Sequence, residues 1–167
     1  MKRDGPASPI DGRYAWIRLA VSMIVCTIGS TGMWAIVVIL PTVQADFGVD
    51  RADASMPSAF MMLGFAAGNL VGGRFVDRYG IAPLVIAAAL AIGLGFLAAA
   101  FTENFWLFTI IHGAFIGMGV AICFGPLTAN ISHWFRRRRG ISVAAVTSGN
   151  YLAGVLCAPV VEAFVQS

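Results

Sequence analysis

Charge is the first thing this sequence is short of. Only 11% of its 167 residues are charged, against about a quarter in an ordinary soluble domain. Hydrophobic residues reach 59%, and the mean hydropathy is +0.83. Too few charges remain to cover a water-facing surface, and those present are clustered, with long apolar runs between them. The net charge of +3 comes from basic residues confined to short stretches, so no nucleic-acid footprint is present. Cysteine is sparse too. Cys26, Cys123 and Cys157 lie far apart inside apolar runs, with no CxxC and no clustered Cys/His spacing. They read as small hydrophobes in a bundle rather than as a disulfide framework or metal site. There is no G-x-x-x-x-G-K-[ST] loop, which leaves an ATP-driven pump unsupported. No paired carboxylates, metal cluster or activated nucleophile stand at membrane depth, so neither an enzyme nor a cofactor is expected.

What the sequence does have is five apolar runs, each near the roughly 20 residues that cross a bilayer. They cover about residues 17–41, 55–76, 83–101, 105–130 and 141–165, after an N-terminal segment of residues 1–16. The first run is too long for a signal-peptide core, which spans about 7–15 residues. Pro41 closes it, and the turn Asp77-Arg78-Tyr79-Gly80 closes the second. None of the runs shows the period-two alternation of a membrane β-barrel. The fold class is therefore an all-α polytopic membrane protein of five transmembrane helices. Short connections imply that consecutive helices are antiparallel neighbours. Ten of the eleven basic residues fall on one side of such a bundle: Lys2, Arg3, Arg13, Arg18, Arg74, Arg78 and Arg136 to Arg139. Arg51 alone falls on the other, with Asp46, Asp50, Asp53, Glu103 and Glu162. By the positive-inside rule the N-terminus is expected to be cytoplasmic, and the expected location is the plasma (inner) membrane.

Glycines mark where helices meet. Gly64, Gly68 and Gly72 form two overlapping GxxxG steps on one face of the second helix, and Gly113 and Gly117 form another on the fourth. Lipid tails give apolar helices no hydrophobic reason to associate, so close contact at small residues supplies the attraction. Such faces serve static packing, sliding between helices, or both.

The most specific stretch is Gly73-Arg74-Phe75-Val76-Asp77-Arg78-Tyr79-Gly80, after the second run. Gly73 allows a neighbouring helix to approach and Gly80 a tight turn. Asp77 is a boundary carboxylate able to bond helix N-termini or pair with Arg78. This stretch resembles the G-x-x-x-D-[RK]-x-G loop of the major facilitator superfamily, without the basic cluster that usually follows its last glycine. The resemblance implies a partial N-terminal six-helix bundle in which Asp77 and Arg78 gate the cytoplasmic side. The plain alternative is a solvated positive-inside loop.

Two further stretches are similar to monocarboxylate porters, the first of them also to their oxalate/formate-type relatives. One is Trp134-Phe135-Arg136-Arg137-Arg138-Arg139-Gly140-Ile141-Ser142, at the start of the fifth helix; the other is Asp11-Gly12-Arg13-Tyr14-Ala15-Trp16, with Leu40-Pro41, Asp46-Phe47-Gly48 and Arg51-Ala52 beyond it. Topology and the interfacial aromatic belt account equally for the arginines and for Trp134 and Phe135. The chain also departs from the family. Gly113 stands where many proton-coupled relatives carry an arginine, and the first helix lacks an intramembrane lysine.

Inside the membrane, His112 is the ionisable residue left, and such residues are functional candidates. It is a candidate for the cavity lining and for proton coupling, or it simply reaches interfacial water. Thr147, Asn150, Gly154 and Cys157 share one face of the fifth helix, which either lines a cavity or packs on helix one or two. Asn69 lies a quarter turn from the Gly68 face. The resemblance implies secondary transport of a small solute, an organic anion such as a monocarboxylate, with a coupling proton or counter-solute. A facilitator has two six-helix halves, so the partners expected are the bilayer, the substrate, and a missing C-terminal half or a second copy. The sequence thus reads as truncated or partial. The other reading is a non-transporting protein that assembles with partner helices through its GxxxG faces.

Overall fold

The computed structural model describes residues 12–165, all helix and connecting turns, with no strand among them. Five helical stretches are long and apolar enough to span a membrane: Arg13–Val38, Arg51–Tyr79, Ile81–Ala100, Phe105–Trp134 and Arg139–Val161. Lys2, Arg3, Asp11, Gln166 and Ser167 lie outside the described residues, as does the side chain of Glu162.

The first span is α1 (Arg13–Val38). Helix geometry lapses at Ile39 and resumes in α2 (Leu40–Phe47). Pro41 was expected to close the first span; it instead sits in the first turn of α2, where its missing N–H is not needed. Gly48 ends α2 with a left-handed φ of 61°, the usual role of a glycine past a helix C-terminus. A short α3 (Arg51–Ala54) follows, capped by Asp50, whose carboxylate accepts from the Asp53 N–H at 2.8 Å. It leads into α4 (Met56–Tyr79), and α5 (Ile81–Ala100) follows. The turn expected over Asp77–Gly80 is much tighter than that. Asp77, Arg78 and Tyr79 are still helical, and Gly80 alone turns the chain, at φ 82°.

The fourth span has three parts. Asn104 caps α6 (Phe105–Ile111), accepting from the Trp106 and Leu107 N–H groups at 2.9 and 3.2 Å. A π-helical segment, His112–Gly117, then widens the helix before α7 (Met118–Trp134) resumes. The fifth span is α8 (Arg139–Val165).

Consecutive helices are main partners only for the third and fourth spans. The first and second spans, and the second and third, meet only lightly, while α1 lies along α8 and α4 lies along the π segment and α7. These dominant pairs are parallel, because an odd number of crossings lies between the members of each. The fourth span is the hub. Of its most apolar window 61% is buried, against 39% or less for every other span.

Glycine explains why the second span docks where it does. A methyl group at Gly64 would overlap the Gly113 carbonyl oxygen, and one at Gly113 would lie 2.9 Å from the Phe60 carbonyl oxygen. Further along, a methyl at Gly68 would stand 2.7 Å from Ala121 Cβ, and one at Gly72 3.3 Å from Pro126 Cγ. The two GxxxG faces therefore pack against each other, backbone to backbone, in rising register. Gly73 departs from expectation. It is exposed, and no neighbour stands within 4 Å of the position its methyl would take. One residue rotates a helix by about 100°, which carries Gly73 off the seam that Gly72 occupies. Large apolar side chains such as Ile28, Leu70, Leu90 and Val155 point outward, as a hydrocarbon solvent permits.

The seam makes a testable contrast. Gly64→Ala should destabilise the bundle by about 1–3 kcal/mol through overpacking. Gly73→Ala should be neutral or stabilise by up to about 1 kcal/mol. Unfolding in mixed micelles titrated with SDS measures both; equal effects at the two sites would remove the seam from the account.

Candidate functional site

The arginine-rich end of the bundle brings together two stretches that are more than a hundred residues apart in sequence. At the end of α7 the backbone leaves the helix at Phe135 (φ −124°, ψ 121°). Extension there turns the Phe135 ring inward, where it is 1% exposed and meets Trp16 edge-on at 5.3 Å. Beside it, Trp134 meets Tyr14 at 5.5 Å. Arg18, one turn along α1, lies over Trp134 at 4.5 Å and over Tyr14 at 5.8 Å. Its Nη2 donates to Asn130 Oδ1 at 3.3 Å. The guanidinium thus gives its charge to two ring faces and an amide oxygen, and among the described residues no carboxylate pairs with it. A cation over an aromatic face contributes about 0.5–2 kcal/mol, more as water is excluded.

The four arginines behave differently. Arg138 lies over Trp16 at 5.9 Å, and Arg139 Nη2 donates to Ser132 Oγ at 3.3 Å. Arg136 and Arg137 are exposed. Interfacial-belt residues sit at the lipid surface; Phe135 is instead buried in the smaller of two cores, with Ala15, Leu19, Ile131 and Val146. Asp11, the first residue of the stretch at the start of α1, lies outside the described residues.

At the same end, Asp77 and Arg78 do not form the ion pair considered for them. Asp77 is exposed with no ion pair among the described residues, while the Arg78 guanidinium lies over Tyr79 at 5.4 Å. The Arg78 side chain is taken up by its other neighbour, Tyr79, and not by Asp77.

The opposite, acidic end holds a cavity of about 480 Å³ between α2, the end of α5 and the start of the fourth span. His112 lines it, with Asp46, Glu103, Thr42 and Thr102 and the rings of Phe47, Phe96 and Phe108. Interfacial water was one expectation for His112. The ring is instead 1% exposed, tilted against Phe108 at 4.2 Å, with Nδ1 3.0 Å from the Phe108 carbonyl oxygen.

Thr147 and Asn150 do not join His112 in this cavity. Asn150 Oδ1 accepts from Trp34 Nε1 at 3.0 Å, and the Asn150 carbonyl accepts from the same N–H at 2.9 Å. Thr147 bonds to carbonyls of its own helix. Gly154 packs on the Trp34 ring, and Cys157 Sγ lies 3.9 Å from the Thr31 carbonyl oxygen. That face of the fifth helix packs on helix one. Asn69 donates to the Phe65 carbonyl at 2.9 Å and lies against Gly125. Sequence reasoning counted Arg18 only among the basic residues of one side and missed its role. The Tyr14-x-x-x-Arg18 spacing, one helical turn, was the available signal.

The family model described as Major Facilitator Superfamily matches residues 22–167. Human monocarboxylate transporter 11 is 26% identical over 157 residues, covering 94% of this chain and 33% of its own length. Rat monocarboxylate transporter 3 is 24% identical over 144 residues, covering 86% of this chain and 29% of its own length. The fujikurins efflux protein of Gibberella fujikuroi is 33% identical over 103 residues, covering 62% of this chain and 22% of its own length. The chain spans a third or less of the length of these curated relatives.

If Arg18 and Trp134 act on each other, their losses will not add. In a double-mutant cycle of Arg18→Ala and Trp134→Leu, SDS unfolding should give a coupling of about 0.5–2 kcal/mol. Additivity to within about 0.3 kcal/mol would mean the two merely sit near each other.

Proposed function

The chain belongs to the Major Facilitator Superfamily, and on that premise we propose that it is part of a secondary transporter for a small organic anion, in the first place a monocarboxylate. The single observation that carries the reading is the pair of parallel contacts, first span with fifth and second with fourth. If spans one to three are laid over four to six, one becomes four and five becomes two, so each contact maps onto the other. An internally repeated half of this kind rocks as a body against a second half, with substrate held between them. The second half comes from further chain or from a second copy.

Several features support the finer assignments. Eight of the ten basic residues assigned to one side are described and lie at one end of the bundle, which favours a cytoplasmic N-terminus in the plasma (inner) membrane. That end also raises the local concentration of an anion. The stretches that resemble monocarboxylate porters interlock there, through Tyr14, Trp16, Arg18, Trp134 and Phe135, and two relatives carry that substrate in their names. Asp77 is exposed and unpaired among the described residues, so its carboxylate is available to gate against the second half. The competing reading, assembly with partner helices through the GxxxG faces, loses its surface. Gly64, Gly68 and Gly113 are already closed against the chain's own helices.

Transport is tested in proteoliposomes containing the complete reading frame, with an imposed proton gradient and labelled lactate, pyruvate, formate or oxalate. The expectation is gradient-dependent accumulation of at least one of them, cut about tenfold by Asp77→Asn at unchanged insertion, the size expected when one charge-assisted contact is lost. No accumulation of any of the four would refute the substrate class. Full activity in D77N would assign Asp77 to an ordinary surface loop.

A further inference from the structure

The cavity at the acidic end has a chemical bias that anion transport does not use. Its polar lining is Thr42, Asp46, Thr102, Glu103 and His112, with no lysine or arginine. Ionised carboxylates only accept hydrogen bonds. Asp46 and Glu103 are exposed at the rim, and neither has an ion pair among the described residues. The Thr102 hydroxyl has already given its proton to the Ala98 carbonyl at 2.7 Å, so it turns lone pairs outward. His112 is in the same position. Its Nδ1 lies 3.0 Å from the Phe108 carbonyl oxygen, and a carbonyl can only accept. The proton of the neutral ring is therefore on Nδ1, and Nε2 keeps a lone pair. No protein group among the described residues meets Nε2, although the side chain is 1% exposed. Four of the five polar groups thus present acceptors, and only Thr42 keeps a hydroxyl proton to offer.

The apolar lining points the same way. Phe47 and Phe108 stand 5.4 Å apart, Phe108 tilts against the His112 ring at 4.2 Å, and Phe96 completes the wall. Aromatic faces attract cations. A volume of about 480 Å³ lies within the range of roughly 300–1,000 Å³ usual for small-ligand sites.

From this lining the geometry points to a binding site for a small organic cation, an ammonium group carried on an aromatic or aliphatic body. The ammonium N–H groups donate to Asp46, Glu103 and the Thr102 oxygen. The body lies between the phenylalanines, and His112 Nε2 accepts at the inner end. A carboxylate ligand is disfavoured there, since it would bring acceptors to acceptors and negative charge to negative charge. This site is independent of whether the protein transports an anion.

Histidine makes the test direct, because the chain contains two, His112 and His133, and His133 is exposed on α7 near the opposite end. The chain is labelled with ¹⁵N-histidine, purified in micelles and titrated at constant ionic strength with benzylammonium chloride, sodium benzoate or benzyl alcohol. Benzylammonium should move the His112 ring resonances saturably and leave those of His133 in place. Benzoate and benzyl alcohol should move neither. The Asp46→Asn, Glu103→Gln double variant, changed at two exposed positions, should weaken benzylammonium binding by about tenfold or more. The site is refuted if His112 does not respond to benzylammonium, if benzyl alcohol or benzoate matches it, or if the double variant binds as tightly.

Discussion

Everything in this bundle depends on backbone contact at glycine between the second and fourth spans. In water, apolar helices associate to leave the solvent; in hydrocarbon they gain nothing by it, and dispersion at short range must supply the attraction. Gly64 over Gly113, and Gly68 against Met118 and Ala121, bring two helix backbones closer than any larger side chain allows. Once the fourth span is held there, its other faces become the surface on which α1, α5 and α8 pack. Gly119 of the fourth span brings the third span close in the same way, since a methyl group there would stand 3.0 Å from the Ala88 carbonyl oxygen. The π-helical segment lies within this seam. Wider turns of this kind occur mostly as short interruptions in α-helices and often at functional sites. Here the segment begins at His112, so the residue that opens the irregularity also closes the floor of the acidic-end cavity.

The bundle is chemically polarised along its length. At one end, arginines lie over aromatic rings and tie the start of the first span to the end of the fourth and the turn into the fifth. At the other, carboxylates with no ion pair among the described residues and a buried imidazole line an aromatic cavity. Between them the described spans carry no ionised pair. An anion gathered at the basic end and an ammonium held at the acidic end would not compete for the same groups.

Much of this was legible in the sequence because it rests on local chemistry. Span number follows from run length, and the glycine faces follow from a spacing of four. The stretches around Trp16 and Trp134 stood out, though nothing in either one showed that they touch. What stayed hidden depends on distant parts of the chain. Short connections suggested that neighbours in sequence would pack together, yet the dominant pairs are one with five and two with four, because docking follows small residues rather than loop length. Gly73 looked like a packing residue by motif but sits one step round the helix from the seam. Asp77 and Arg78 looked like a pair by adjacency, but the Arg78 guanidinium lies over Tyr79 instead. The acceptor lining is invisible in sequence, since it depends on which hydroxyl and imidazole protons the carbonyls of Ala98 and Phe108 have taken.

The central claim is that the second span lies along the fourth in parallel register, through Gly72 and not Gly73. Disulfide cross-linking in native membranes tests it most directly, with Cys26, Cys123 and Cys157 replaced by alanine. A methyl at Gly72 would lie 3.3 Å from Ile122 Cγ1, so the Gly72→Cys, Ile122→Cys pair should form an intramolecular disulfide on mild oxidation, identified as a linked peptide by mass spectrometry. The Gly73→Cys, Ile122→Cys pair should not. Equal linking of both pairs, or linking of the Gly73 pair alone, would contradict the register from which the rest of the bundle follows.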